Sequence, residues 1–241
     1  MAKRDGTVRI ATLAELFDVT TETARRDLDE LAEAGELTRT YGGGASRSLT
    51  HEPGIGERGQ AHAAERTRIA AAAAALVQPG DALMIDCGST TSHFATALAL
   101  RGLPLTVLTN CFLVAQALGA SAHCRVMLCP GEYVMREGGV FGADTIDFIR
   151  RFNANKSFIG ASGVTVDGVL DADSASCAVK RTMLERAERA VLLVDSSKYA
   201  AAQFERVCAF TDIDDLVSEK APPRPIAAAL RAAGTSFVLA R

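Results

Sequence analysis

A chain of 241 residues has room for one large domain or for a small domain plus a medium one. Its 48% hydrophobic and 23% charged content is globular rather than disordered, and its six cysteines form no Cys-x-x-Cys pair and no zinc set with histidine. A net charge of −3 excludes a broad basic surface, so any contact with nucleic acid must rest on a few well-placed cations.

The first dozen residues are polar and carry Lys3, Arg4 and Arg9, unlike a secretion signal. The apolar run from Ile69 to Val77 is far short of the about 20 residues that a membrane span needs. A reduced, cytoplasmic protein without metal or cofactor is the simplest reading. Within Met1–Ala11, Gly6, Val8 and Ile10 suggest a turn and a short strand. Thr12–Phe17 reads as a short helix that stops at Asp18-Val19. Thr20 then offers a hydroxyl cap to a second helix, Thr21–Ala34, ended by Gly35. On that helix Ala24, Leu28 and Leu31 form an inward stripe, which turns Glu22, Arg25, Arg26 and Asp29 outward. Two helices with adjacent arginines at the start of the second match helix-turn-helix geometry, in which that end enters the major groove. An ordinary helical hairpin, with the arginines paired to Glu22 and Asp29, fits the same periodicity. The alternating stretch Glu36–Tyr41 and Gly42-Gly43-Gly44 read as a wing that presents Arg39.

Ser46–Gly59 is rich in Ser, Gly and Pro and reads as a hinge, giving domains at 1–48 and 61–241 with a linker at 49–60. One helix is expected over Gln60–Val77. Beyond it, strands are expected at Ala82–Ile85, Leu105–Leu108, Val126–Cys129, Ser157–Ile159 and Val191–Val194. Helices are expected near Ser92–Leu100, Phe112–Leu118, Thr145–Phe152 and Ala178–Ala187. Non-alternating apolar strands that alternate with helices imply a mostly parallel sheet covered on both faces, with ligands at the strands' carboxyl ends. Candidate ligand residues fall there: Asp86, Gly88, Ser89, Thr90 and Thr91 after the first strand, where the helix-start amides and hydroxyls suit an anion, and Thr109-Asn110 after the second. Gly131 follows the third, and Lys198 follows the last.

Leu13-Ala14-Glu15, Val19-Thr20, Thr23–Leu28, Leu31, Gly35, Arg39 and Gly42-Gly43 closely resemble the winged helix-turn-helix of the DeoR family. Ala24 stands where a larger aliphatic residue is usual, and Tyr41 where His is. The resemblance implies that Thr21, Glu22, Thr23, Arg25, Arg26 and Arg39 meet operator DNA. An additional helix precedes this segment in that family. Here it is expected to be absent, leaving Leu13, Leu16, Phe17 and Leu28 poorly covered.

Thr67 to about Val217 resembles the family's sensor domain through Asp86-x-Gly88-Ser89-Thr90-Thr91, Thr109-Asn110, Phe158-Ile159-Gly160, Val179-Lys180-Arg181 and Asp195-Ser196-Ser197-Lys198. Such domains are similar in fold to ribose-phosphate isomerases and coenzyme A transferases. The resemblance implies a phosphorylated sugar or polyol held by Gly88, Ser89, Thr90, Thr91, Asn110, Gly131 and Lys198. Pro130 and Ser176 depart from the pattern, the latter where Glu is common, and leave the effector's identity open. The expected protein is therefore a homo-oligomeric α/β regulator, a repressor of a sugar or polyol operon released by its effector. A sugar-phosphate isomerase is the alternative, and would take its general base from Asp86, Asp171, Asp173 or Asp195.

Overall fold

The computed structural model describes residues 7–33, 37–40, 42–46, 49, 50 and 52–241, which fall into two units, Met1–His51 and Glu52–Arg241. The first unit runs β1 (Thr7–Arg9), α1 (Ile10–Phe17), α2 (Thr21–Glu33), β2 (Leu37–Thr40) and β3 (Gly43–Ser46). Asp18 adopts a left-handed conformation, φ 52°, that ends α1. The Thr20 hydroxyl then accepts the Thr23 amide at 3.1 Å and starts α2. The three strands form an antiparallel sheet in the order β1-β3-β2. Gly43 permits the β1–β3 pairing, because a Cβ there would lie 1.9 Å from the Val8 carbonyl oxygen.

Val8, Ile10, Ala14, Ala24, Leu28 and Leu37 make the small core of this unit. Ile10 opens α1 rather than belonging to the strand. Leu28 is fully packed, contrary to the expectation that it would be left open, because β2 and β3 close over it through Leu37 and Gly44. Leu31 is 44% exposed, so the inward stripe ends one turn earlier than its spacing suggests. Leu16 and Phe17 are 57% and 64% exposed, in line with the expectation for these two side chains. The expected helix end at Ala34-Gly35, Tyr41 and the side chain of Arg39 lie outside the described residues.

The second unit begins with α3 (Ile55–Gln60) and α4 (Ala63–Ala74), where a hinge and one continuous helix are expected from composition. Left-handed His62, φ 53°, separates them. The order continues β4 (Ala82–Ile85), α5 (Ser89–Ala99), β5 (Leu105–Thr109), α6 (Phe112–Gly119) and β6 (Cys124–Leu128). Next come β7 (Glu132–Val134), β8 (Gly139–Phe141), α7 (Ala143–Ile149), β9 (Ala154–Ile159), β10 (Gly163–Thr165) and β11 (Gly168–Asp171). The remainder is α8 (Ser174–Glu185), β12 (Ala187–Leu193), β13 (Glu205–Cys208), β14 (Asp215–Ser218), α9 (Arg224–Ala233) and β15 (Ser236–Leu239).

Seven of these strands form one parallel sheet in the order β15-β14-β12-β9-β4-β5-β6. All five expected strands are in it, and their buried aliphatic side chains supply much of the core on its faces. Successive connections run outward from β4 through β5 to β6, and in the other direction from β9 through β12 to β15. The carboxyl ends of β4 and β9 therefore flank a topological switch point, where sheets of this kind bind ligands. Hairpin β7–β8 and the small antiparallel sheet β10-β11-β13 follow strands at that end. Among the described residues, no helix is long and apolar enough to cross a membrane.

Candidate functional site

Thr21, Glu22, Thr23, Arg25 and Arg26 all lie exposed on the first two turns of α2. Arg25 pairs with Glu22 at 2.8 Å and Arg26 with Glu30 at 3.3 Å, the Arg26 side chain being 81% exposed. Such solvated helix pairs contribute only about 0.3–0.5 kcal/mol, so a DNA phosphate or base edge can take over either arginine. Arg39 is in β2, opposite Gly44.

At the switch point, Lys180 from α8 is 5% exposed and lies 2.7 Å from the carboxylate of Asp86 and 3.3 Å from that of Asp171. Burial alone would lower its ammonium, but the two carboxylates hold it charged, above its usual range. Asp86 is fixed from its other oxygen by the Gly160 amide at 3.1 Å, at the end of β9. Burial pushes its carboxyl up, against the pull of Lys180. The Ser162 hydroxyl reaches both Asp171, at 3.2 Å, and Glu52.

Glu52 continues the cluster. Its Oε1 is 2.7 Å from Lys198 Nζ, and its Oε2 pairs with Arg58, which also pairs with Glu137 at the β7–β8 hairpin. Burial raises the Glu52 carboxyl, yet Lys198 and Arg58 overcome it and hold the group at about 2. Arg66 of α4 is wholly buried, bonded to Asp195 at 3.1 Å and to the carbonyls of Ala61, at 2.7 Å, and Arg58. The structure thus brings Asp86 and Lys198 into one chain of contacts: Asp86, Lys180, Asp171, Ser162, Glu52, Lys198.

Ser89, Thr90 and Thr91 open α5 with their side chains largely buried, and the leading amides of a helix have no carbonyl within it to bond. The Thr91 hydroxyl is held by the carbonyls of Asp86, 2.9 Å, and Gly88, 3.0 Å. Thr109 donates to the Ile85 carbonyl and accepts the Cys111 amide, so its hydroxyl fixes the loop. Asn110 donates to the Val140 carbonyl at 3.1 Å, while its buried Oδ1 has no partner. Gly131 is explained by packing: its φ is 146° and a Cβ would lie 2.2 Å from the Thr145 hydroxyl. No described contact joins it to the charged cluster. A cavity of about 540 Å³, lined by Ile55, Gly59, Ser89, Ser92 and His93 among others, lies beside the start of α5.

Glu52, Arg58, Arg66, Glu137 and Lys180 escape a composition-based search, because a charged residue in one sequence normally reads as solvated. Two of them carry a usable signal. Arg66 shares the helical phase of Ile69, Ala70, Ala73 and Val77, and Lys180 that of Cys177 and Met183, all of them buried.

A model of the DeoR C terminal sensor domain matches residues 61–220, and one of the DeoR-like helix-turn-helix domain matches residues 1–50. The Glycerol-3-phosphate regulon repressor of Escherichia coli (strain K12) is 33% identical over 224 residues, 92% of this chain and 88% of the relative. The L-fucose operon activator of Haemophilus influenzae is 29% identical over 223 residues, 91% of this chain and 88% of the relative. Ribose 5-phosphate isomerase A from Methanocaldococcus jannaschii superposes with a TM-score of 0.44 at 17% identity, over 58% of this chain and 56% of that one. At that similarity neither its activity nor its site transfers to this chain.

Proposed function

This chain belongs to the DeoR family of DNA-binding transcriptional regulators, and we propose that it represses a sugar or polyol operon until a phosphorylated sugar occupies the switch-point cluster. As a cytoplasmic homo-oligomer it presents paired α2 helices to repeated half-sites, with Arg25, Arg26 and Arg39 toward the DNA. The effector's phosphate lies between Lys198 and the start of α5, where Ser89, Thr90 and the helix amides favour an anion and Asn110 Oδ1 awaits a donor. The name of the Escherichia coli relative favours repression and a small polyol phosphate.

The observation that carries the reading is Lys198, a cation only 14% exposed beside the carboxyl ends of the central strands, already holding a carboxylate. The carboxylates an isomerase would use are engaged elsewhere. Asp86 and Asp171 grip Lys180, Asp173 caps α8 through the Ser176 amide, and Asp195 is held low by burial's opposing partners Ser197 and Arg66. None is left as a free base.

A charge-assisted contact to phosphate contributes about 1.5–3 kcal/mol. Lys198→Ala should therefore weaken binding of the sugar phosphate by about 10- to 100-fold in calorimetry, at about 1.4 kcal/mol per decade. The unphosphorylated sugar should bind far more weakly than its phosphate. Equal affinity for the two, or intact binding in the variant, would remove the phosphate assignment.

A further inference from the structure

We infer that the effector's phosphate site includes Arg58 and Ser162 as well as Lys198, and that the chain's own Glu52 carboxylate occupies it until a phosphate monoester displaces it. This rests on the phosphate reading of Lys198 and adds what the ligand must compete with. Glu52 is 7% exposed, and both of its oxygens are bound by cations, Lys198 on one and Arg58 on the other. The Ser162 hydroxyl is within its reach as well. One carboxylate held by an ammonium, a guanidinium and a hydroxyl is the donor set that recognises a phosphate monoester. A sugar phosphate carries about −1.5 to −2 near neutral pH, more than the single charge it would replace, and has a third oxygen to bond. The same two cations therefore hold it more strongly than they hold Glu52.

Access is also accounted for. Arg58 sits on α3, whose Ile55 amide bonds the Arg136 carbonyl at 2.8 Å and whose Gly59 carbonyl lies 3.4 Å from His93 on α5. Ile55 and Gly59 also border the cavity that reaches Ser89. The segment 52–60 therefore meets Lys198 at Glu52 and α5 at Gly59, and release of Glu52 would free Lys198 for the ligand. Glu52 is the first residue of its unit, and His51 is the last of the DNA-binding unit.

The test uses the full chain and inorganic phosphate as the probe, titrated at fixed ionic strength into the unaltered protein, Glu52→Gln and Lys198→Ala. A site closed by its own carboxylate loses apparent affinity in proportion to the closed fraction, so Glu52→Gln should bind phosphate about tenfold more tightly or better. Lys198→Ala should bind it more weakly. Hydrogen exchange on the unaltered protein supplies a readout that needs no variant: saturating phosphate should accelerate exchange of the amides from 52 to 60. If Lys198→Ala binds phosphate as the unaltered protein does, the phosphate reading of Lys198 fails. If Lys198→Ala binds weakly but Glu52→Gln gains nothing, or exchange over 52–60 is unchanged by phosphate, Lys198 keeps its role and the displacement of Glu52 is overturned.

Discussion

Lys180→Met is expected to destabilise the second unit by about 3–5 kcal/mol, the usual consequence of removing one partner from a buried ion pair. The variant keeps much of the side chain's volume, so the loss reports charge rather than a cavity. Asp86 and Asp171 would then face each other with no cation between them, in a region where Asp86 is 1% exposed. The pH dependence has a definite sign. In the unaltered protein the Lys180 ammonium is raised above 10.5, so its stabilisation is fully present below that pH and fades as pH climbs through the folded value. In the variant the burial that already pushes Asp86 above 3.8 acts without the opposing pull of Lys180, and a protonated carboxyl needs no cation beside it. The deficit should therefore shrink as pH falls toward the acidic range. Urea unfolding of both proteins at neutral and mildly acidic pH checks this, and equal stability at neutral pH would mean the trio carries no such load.

Arg26→Ala is expected to reduce operator affinity by about 30-fold or more. A single lost base contact removes about 1–3 kcal/mol of discrimination, and a dimer loses it twice. Neither partner competition nor folding should mask the effect, since the side chain is solvated and its only described partner, Glu30, is a weak surface pair. If Arg26 meets phosphate rather than a base edge, the loss should be uniform across sequences and the salt slope should fall by about one per site. Anisotropy titrations against fragments selected from genomic DNA distinguish the two. Unchanged affinity at fixed salt would take α2 out of the groove.

The outward face of α2 was legible because helical period alone turns Arg25 and Arg26 away from Ala24 and Leu28, which are buried. The central strands were legible as short aliphatic runs. β14 and β15 were not, since each has four residues and only two or three apolar ones. The antiparallel strands β10 and β11 are as short, with three and four residues, and join through a tight turn at Val166-Asp167. Sequence position placed Asp86, Ser89, Asn110 and Lys198 at strand ends, but it could not find the ion-pair partners of Asp86 and Lys198. Glu52 lies in a stretch whose Pro and Gly suggest a hinge, and its burial follows from long-range pairing with Lys198 that no local pattern encodes. At Gly131 a glycine after a strand suggested ligand approach, and the described neighbours that require it are Thr145 and Phe141.

The central claim, that sugar-phosphate binding in the second unit governs DNA binding by the first, is tested most directly by one titration. Labelled operator is bound by the full chain with and without a saturating phosphorylated sugar, and the sugar is recovered afterwards and identified. The account predicts a large fall in operator affinity and a sugar phosphate recovered unchanged. Operator affinity indifferent to a bound sugar phosphate, or recovery of an isomer in its place, would contradict it.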